Sequence, residues 1–314
     1  MALASVFPWT ACDSGDPSGP EVTPHLTPGD HTISLAHDGL SRSYLVHVPS
    51  LDAGPAPPVL VAFHGGGGNA EKFRTIASFD AHADAHGYVV VYPNGTGSAG
   101  SLTWNAGGCC GSALDAGVDD VGFSRAVIAD LASRLPIDKA RIYATGHSNG
   151  SMMAHRLGAE ASDLVAAIAP YAGSPYLELL GFAPTYSVPV LHIHSVDDPL
   201  ALYHGGVSGN GSYKTPVLTQ LEAWASRNGC ATPPLVGTTT YGEPGTISEG
   251  HSATLVSWRP CSSSAEVHLL RLTGPGHGWP GRILTPALQA LLGPPTAIID
   301  IEEEIWGFVS RCSR

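Results

Sequence analysis

The chain has 314 residues, 43% hydrophobic and 13% charged, enough apolar matter for a substantial core in one large domain or two small ones. Its 15 basic and 27 acidic side chains leave a net charge of -12, which argues against nucleic acid and anionic membranes as partners. No apolar run is long enough to span a bilayer, and 38 glycines and 26 prolines among well-spaced apolar runs predict many turns and ordered loops.

Residues 1–26 read as an extended N-terminal segment, and residues 27–314 as one α/β domain. Thr10-Ala11-Cys12-Asp13, followed by Ser, Gly and Pro, fits either the start of a segment lipid-anchored at Cys12 or an appended remnant before a linker. Ser43–Val48 alternates and predicts a strand, and Val59–Phe63 is a continuous apolar run of the kind buried in parallel sheets. That run feeds His64-Gly-Gly-Gly-Gly-Asn69. A helix is expected over Ala70–His86, a strand over Tyr88–Tyr92, and a long glycine-rich loop with Trp104, Cys109 and Cys110 over Gly95–Val118. Asp120 is expected to cap a helix whose apolar face is Phe123, Val127, Ile128 and Leu131. Strands are predicted at Ile142–Ala144, Val165–Ala169, Val188–Ile193, Thr238–Tyr241, Thr254–Trp258 and Val267–Leu272. Helices are predicted at Val217–Arg227, Ile283–Leu292 and Ile298–Val309. Strands alternating with helices predict a mostly parallel central sheet covered on both faces.

Gly146-His147-Ser148-Asn149-Gly150 fits G-x-S-x-G, with an apolar strand before it and helical spacing (Met152, Met153, Ala154, Leu157) after it. A serine in that context sits on a sharp strand-to-helix turn, its hydroxyl clear of the sheet and a helix N-terminus beneath it. A serine hydroxyl needs a base, and the base needs an orienting acid. Asp197 and Asp198 follow a predicted strand. Asp198 is preferred because Pro199 fixes the next turn, with Asp197 as the alternative. His277, among small residues in Gly274-Pro-Gly-His-Gly-Trp-Pro-Gly281, is the expected base. His147 is expected to face away from the nucleophile, His64 to brace its loop, and His155, His192 and His194 to be satisfied core groups. The oxyanion hole is expected from the backbone N–H groups of Asn149 and Gly66, with Gly65 as the alternative to Gly66.

His64-Gly-Gly-Gly-Gly-Asn69, Trp104-Asn-Ala-Gly-Gly-Cys-Cys-Gly111, Val118-Asp-Asp-Val-Gly-Phe123, the serine pentapeptide and Gly276-His-Gly-Trp-Pro-Gly281 occur together and in order. From about residue 27 onward the chain resembles the poly(3-hydroxybutyrate) depolymerase-like esterases, which include feruloyl and acetylxylan esterases. The resemblance implies an α/β-hydrolase fold and a serine esterase working without metal or cofactor, with Ser148, Asp198 and His277 at the triad positions. It implies an ester substrate, small or polymer-borne, either hydroxycinnamoyl or acetyl esters or hydroxyalkanoate polyesters. Pro199-Leu-Ala-Leu-Tyr203 and Ser151 depart from the family's usual residues beside the site and put substrate preference in question.

Trp104 and Trp279 are expected as walls of the substrate pocket. Cys230 follows a predicted helix and Cys261 a predicted strand, so a Cys230–Cys261 bridge is expected between them. Cys109 and Cys110 are expected to pair with each other or elsewhere, leaving Cys12 and Cys312 to join the termini. Six cysteines fit an oxidising compartment. Asn149-Gly150-Ser151 is a glycosylation sequon inside the proposed site, so the expectation is a secreted or periplasmic bacterial protein.

Overall fold

The computed structural model describes residues 25–50, 54–98, 100–175, 184–208 and 213–314. The expectations for residues 1–24, including an anchor at Cys12 and a Cys12–Cys312 bridge, lie outside the described residues.

Ten strands form one sheet: β1 (Gly29–His37), β2 (Leu40–Val48), β3 (Val59–Phe63), β4 (Val89–Pro93), β7 (Ile142–His147), β8 (Ala167–Tyr171), β9 (Val190–Ser195), β12 (Leu235–Tyr241), β13 (Ser252–Trp258) and β14 (Val267–Thr273). Their spatial order is β1-β2-β4-β3-β7-β8-β9-β14-β13-β12. The six central strands, β4 to β14 in that order, are parallel, and antiparallel strands finish both edges. Burial on both faces explains why β3 and β4 read as unbroken apolar runs.

Val59, Val61 and Phe63 of β3 face a core closed by α4 (Asp120–Arg134), α5 (Asn149–Glu160) and α6 (Val217–Arg227). Leu60 and Ala62 face the opposite core, closed by α1 (Ala70–Ala77), α2 (Phe79–His86) and α8 (Ile301–Val309). This is the expected α/β-hydrolase architecture.

Several boundaries differ from expectation. The helix over residues 70–86 is two helices, broken at Ser78, whose φ of 50° interrupts the helical path. Residues 95–118 are not all loop: β5 (Thr96–Ser98) and β6 (Ser101–Thr103) form a hairpin, and α3 (Gly111–Asp115) follows. A two-stranded pair, β10 (Gly206–Val207) and β11 (Tyr213–Lys214), precedes α6. Asp119, not Asp120, caps α4 through the Gly122 N–H; Asp120 is fully buried, 2.7 Å from the Arg42 guanidinium. The helix expected from Ile283 is α7 (Pro286–Leu292), capped by Thr285 with Pro286 at its first position.

Candidate active site

The central strands deliver the candidate residues to one end of the sheet. β7 ends at His147, and Ser148 makes the turn into α5 with φ 57° and ψ −117°. Its N–H donates to the Tyr171 carbonyl at 3.0 Å. The turn closes only because its flanks lack side chains. A Cβ on Gly146 would run into the Gly150 carbonyl, and one on Gly150 into the Phe63 carbonyl.

Asp198 and His277 come from the loops after β9 and β14. Their side chains meet at 2.6 Å, Asp198 Oδ2 to His277 Nδ1, and both residues are buried. The other oxygen, Oδ1, accepts the N–H groups of Leu200 and Ala201, each at 2.8 Å. Burial pushes the Asp198 carboxyl up, but His277, His194 and the Ala201 N–H more than offset it and hold it below its usual value. Asp197 is exposed and accepts the Gly274 N–H at 2.6 Å, so it ties the start of the histidine loop and does not meet the imidazole.

The histidine loop is held from several sides. Gly276 and His277 donate their N–H groups to Pro294 and Leu292. Tyr171 donates its hydroxyl to the Gly278 carbonyl at 2.6 Å, and Ser195 donates to the Pro275 carbonyl. His147, expected to face away, is part of this arrangement. Its Nε2 donates to the His277 carbonyl at 2.8 Å, and its ring lies 4.7 Å from the His277 ring. Burial and the neighbouring His277 push the His147 imidazole down to about 3, so it stays neutral while it donates. The geometry follows from the strand: the residue before the elbow turns its side chain along the β8 side, where Tyr171 stacks on it at 5.5 Å.

The glycine loop is built just as tightly. Gly67 donates to Leu102, and Leu102 donates to Gly68, each at 2.9 Å, so the loop is stitched to β6. His64 accepts the Gly95 N–H on Nε2 at 3.0 Å and donates from Nδ1 to the Gly65 carbonyl at 2.8 Å. This fixes one neutral tautomer, and burial pushes the ring down to about 4. Gly66 lies against Asn149, where a Cβ on Gly66 would stand 3.5 Å from the Asn149 Cβ. Asn149 is the first residue of α5, so its N–H has no partner within the helix. The side chain of Asn149 accepts the Trp104 N–H at 2.7 Å and donates to the Trp104 carbonyl at 3.1 Å.

Neither tryptophan is a wall of the cleft. Trp104 is fully buried, with its indole N–H on the His64 carbonyl at 2.9 Å and its ring against Phe63 and His64. Trp279 is also buried. Its N–H binds Glu302 at 3.0 Å, and its ring packs on Phe73, Phe79 and Tyr171. An indole N–H needs a partner when buried, and each indole has found one in the interior; neither ring is among the residues that line the cleft. The cleft beside Ser148 and His277 has a volume of about 350 Å³ and takes its apolar lining from Phe73, Ile76, Leu200, Leu291 and Leu292. Chain separation hid these residues, which come from α1, α7 and the loop after Asp198.

Behind the acid, three buried histidines form a chain that sequence reading treated only as core. Trp224 donates to His155 Nδ1 at 3.2 Å, His155 Nε2 meets His192 Nδ1 at 3.1 Å, and His192 Nε2 meets His194 Nδ1 at 2.9 Å. His194 Nε2 ends on the Ala201 carbonyl at 2.7 Å, 3.7 Å from Asp198. The indole can only donate, so every ring carries its proton on Nε2 and the chain points one way, toward the acid loop.

Elsewhere, Cys230 and Cys261 are disulfide-bonded, joining the end of α6 to the segment after β13. The adjacent sulfurs of Cys109 and Cys110 are brought together in the Trp104 loop. Cys312 is half-buried and has no disulfide partner among the described residues; as a thiol it is pushed up to about 11 by burial. No helix among the described residues is long and apolar enough to cross a membrane.

The family described as Esterase PHB depolymerase matches residues 42–219. The chain is 28% identical to feruloyl esterase B of Piromyces equi over 244 residues, covering 75% of this chain and 42% of that protein. It is 26% identical to the bifunctional acetylxylan esterase/xylanase XynS20E of Neocallimastix patriciarum, covering 87% of this chain and 34% of that protein. The chain thus spans less than half the length of these two relatives. Among solved structures, the acetyl xylan esterase from Aspergillus awamori superposes with a TM-score of 0.55 at 16% identity, covering 83% of this chain and 97% of that one. At that identity the likeness concerns the fold.

Proposed function

The chain belongs to the PHB depolymerase esterase family, and on that premise we propose that it is a serine carboxylic ester hydrolase working through Ser148, His277 and Asp198. The observation that carries this is the buried 2.6 Å contact between Asp198 and His277, the latter of which lines the same cleft as Ser148. In this reading His277 takes the Ser148 proton as the hydroxyl attacks the ester carbonyl. Asp198 holds the Nδ1–H tautomer and stabilises the imidazolium. His277 then returns the proton to the leaving alcohol, and water repeats the sequence on the acyl-enzyme. The N–H groups of Asn149 and Gly66 receive the oxyanion, helped by the α5 N-terminus.

For substrate, hydroxycinnamoyl or acetyl esters are the first reading. The relatives' names support it, as does an apolar cleft large enough for an aromatic acyl group. Phe73 takes over the aromatic contact that the tryptophans do not make. The second reading, hydroxyalkanoate polyester oligomers, is favoured by the exposed apolar rim: Ile76 and Leu291 are 41% and 57% exposed beside the cleft. The disulfide supports a secreted or periplasmic location. A side-by-side kcat/KM series on methyl ferulate, p-nitrophenyl acetate, p-nitrophenyl butyrate and a hydroxybutyrate trimer tests the ranking. The first reading expects methyl ferulate to exceed the trimer, and a reversed order selects the second. No turnover on any of the four would overturn the ester-hydrolase reading.

A further inference from the structure

His82 and His86 stand one turn apart on α2, their rings stacked at 4.1 Å and only 14° from parallel. Glu303 reaches them from the first turn of α8, at the other end of the chain. Glu303 Oε1 lies 3.2 Å from His82 Nε2 and 3.1 Å from His86 Nε2. All three ligand atoms fall within 4.8 Å of one another. None of the three residues lines the cleft of Ser148.

The hydrogen bonding here is incomplete. His82 Nδ1 meets the Tyr88 hydroxyl at 3.1 Å, but His82 Nε2 is buried and, among the described residues, has no hydrogen-bond partner. It is close to the carboxylate yet misaligned with it. When Nδ1 donates to Tyr88, His82 Nε2 presents a lone pair to a carboxylate oxygen, and His86 can hydrogen-bond that oxygen without relieving the contact. A cation between the three atoms relieves all of them. Zinc bonds of about 2.0–2.1 Å at tetrahedral angles place neighbouring ligand atoms about 3.3 Å apart, close to both nitrogen–oxygen distances here. Tyr88 would play the usual outer role, accepting the Nδ1–H of the tautomer that frees Nε2 for metal. Asp300, which caps α8, adds negative potential beside the pair.

A second cluster shows the contrast. Asp30, His47 and Asp80 also converge, but Arg74 already bridges Asp30 and Asp80 and supplies the positive charge. No Lys or Arg is paired with Glu303 among the described ion pairs.

We propose that His82, His86 and Glu303 form a site for a divalent transition-metal ion of the zinc type, with water completing the coordination. The ion clasps α8 to α2 and is structural; it takes no part in ester cleavage. The proposal is independent of the reading of the cleft.

The test is zinc titration by calorimetry of the metal-stripped full chain, paired with thermal unfolding, on wild type, His86→Ala and Glu303→Gln. Both substituted positions are exposed, so the fold should survive. Wild type is expected to take up one zinc per chain with micromolar affinity and to unfold a few degrees higher with excess metal. Each variant should bind about tenfold more weakly or worse and lose the thermal shift. Ester turnover by the stripped enzyme should be unchanged. Absence of zinc uptake by wild type, or equal affinity and thermal shift in both variants, would overturn the proposal.

Discussion

Ser148 is held in a backbone conformation that favours glycine, with φ 57° and ψ −117°. Such a conformation costs on the order of 1–3 kcal/mol and persists because the surroundings impose it. Two substitutions separate strain from chemistry. Ser148→Ala should lower kcat by more than about 10³-fold with little change in stability. Ser148→Gly should be equally inactive but more stable than Ser148→Ala by about 1 kcal/mol, because glycine relaxes the turn; thermal unfolding of the pair checks this. At the acid position, Asp198→Asn would turn an amide N–H toward His277 and favour the wrong tautomer. A drop in kcat on the order of 10⁴-fold is expected. Asp197→Asn keeps an acceptor for the Gly274 N–H and should change kcat little; the reverse ranking would move the acid by one residue. The proposed serine, base and pair of candidate acids could be named from the sequence because each lies in a short motif. The tryptophans misled. Trp279 is two residues from His277 in sequence, but adjacency says nothing of side-chain direction, and Glu302 draws the indole away.

At the scale of elements, the glycine loop, the Trp104 loop and α5 are one braced unit. Asn149 connects them by clamping the Trp104 backbone with its side chain, and its own N–H, at the start of α5, is the one proposed to receive the oxyanion. Asn149→Ala would leave the Trp104 N–H buried and unpaired, at a cost of about 1–3 kcal/mol. It would also loosen the loop that carries Gly66. We expect kcat to fall by about 10–100-fold with KM nearly constant, since the oxyanion exists only beyond the ground state; steady-state kinetics with thermal unfolding would show it. A KM effect alone would mean that Asn149 positions substrate. The sequence showed the glycine run and the elbow but not this clamp, because its hydrogen bonds span 45 residues. The break at Ser78 was hidden for a different reason: Ala70–His86 has helix-forming residues throughout, and packing of Phe79 beneath Trp279 sets where the second helix starts.

Across the whole molecule, buried histidines set the acid limit of stability. Burial is the first cause in each case: it pushes His64 down to about 4, and His147 and His155 each to about 3. Below their ordinary value near 6.5, the unfolded chain binds protons on these rings while the folded chain does not, so stability falls as pH falls. Each ring contributes a slope of up to about 1.4 kcal/mol per pH unit between about 6.5 and its folded value. The depressed carboxyl of Asp198 adds a loss of the same sign at lower pH. Melting temperature should therefore be highest above about pH 6.5 and decline steeply toward pH 4.5; a flat calorimetric profile over that interval would contradict the assignment of neutral buried rings. At this scale the parallel core of the sheet was legible from its apolar runs. β1 was not, because Gly29–His37 is a half-exposed edge strand with one buried residue, Ile33. The spatial order of strands was also hidden, since β9 and β14 pair across more than seventy residues.

Ser148 is proposed as the nucleophile of an ester hydrolase, and all the kinetic expectations for the site depend on it. Labelling with a fluorophosphonate, followed by peptide mass spectrometry, tests it most directly. One adduct per chain is expected, on the peptide containing Ser148, with ester turnover lost in proportion to labelling and no adduct on Ser148→Ala. An adduct on another residue, or full turnover by a chain labelled at Ser148, would contradict it.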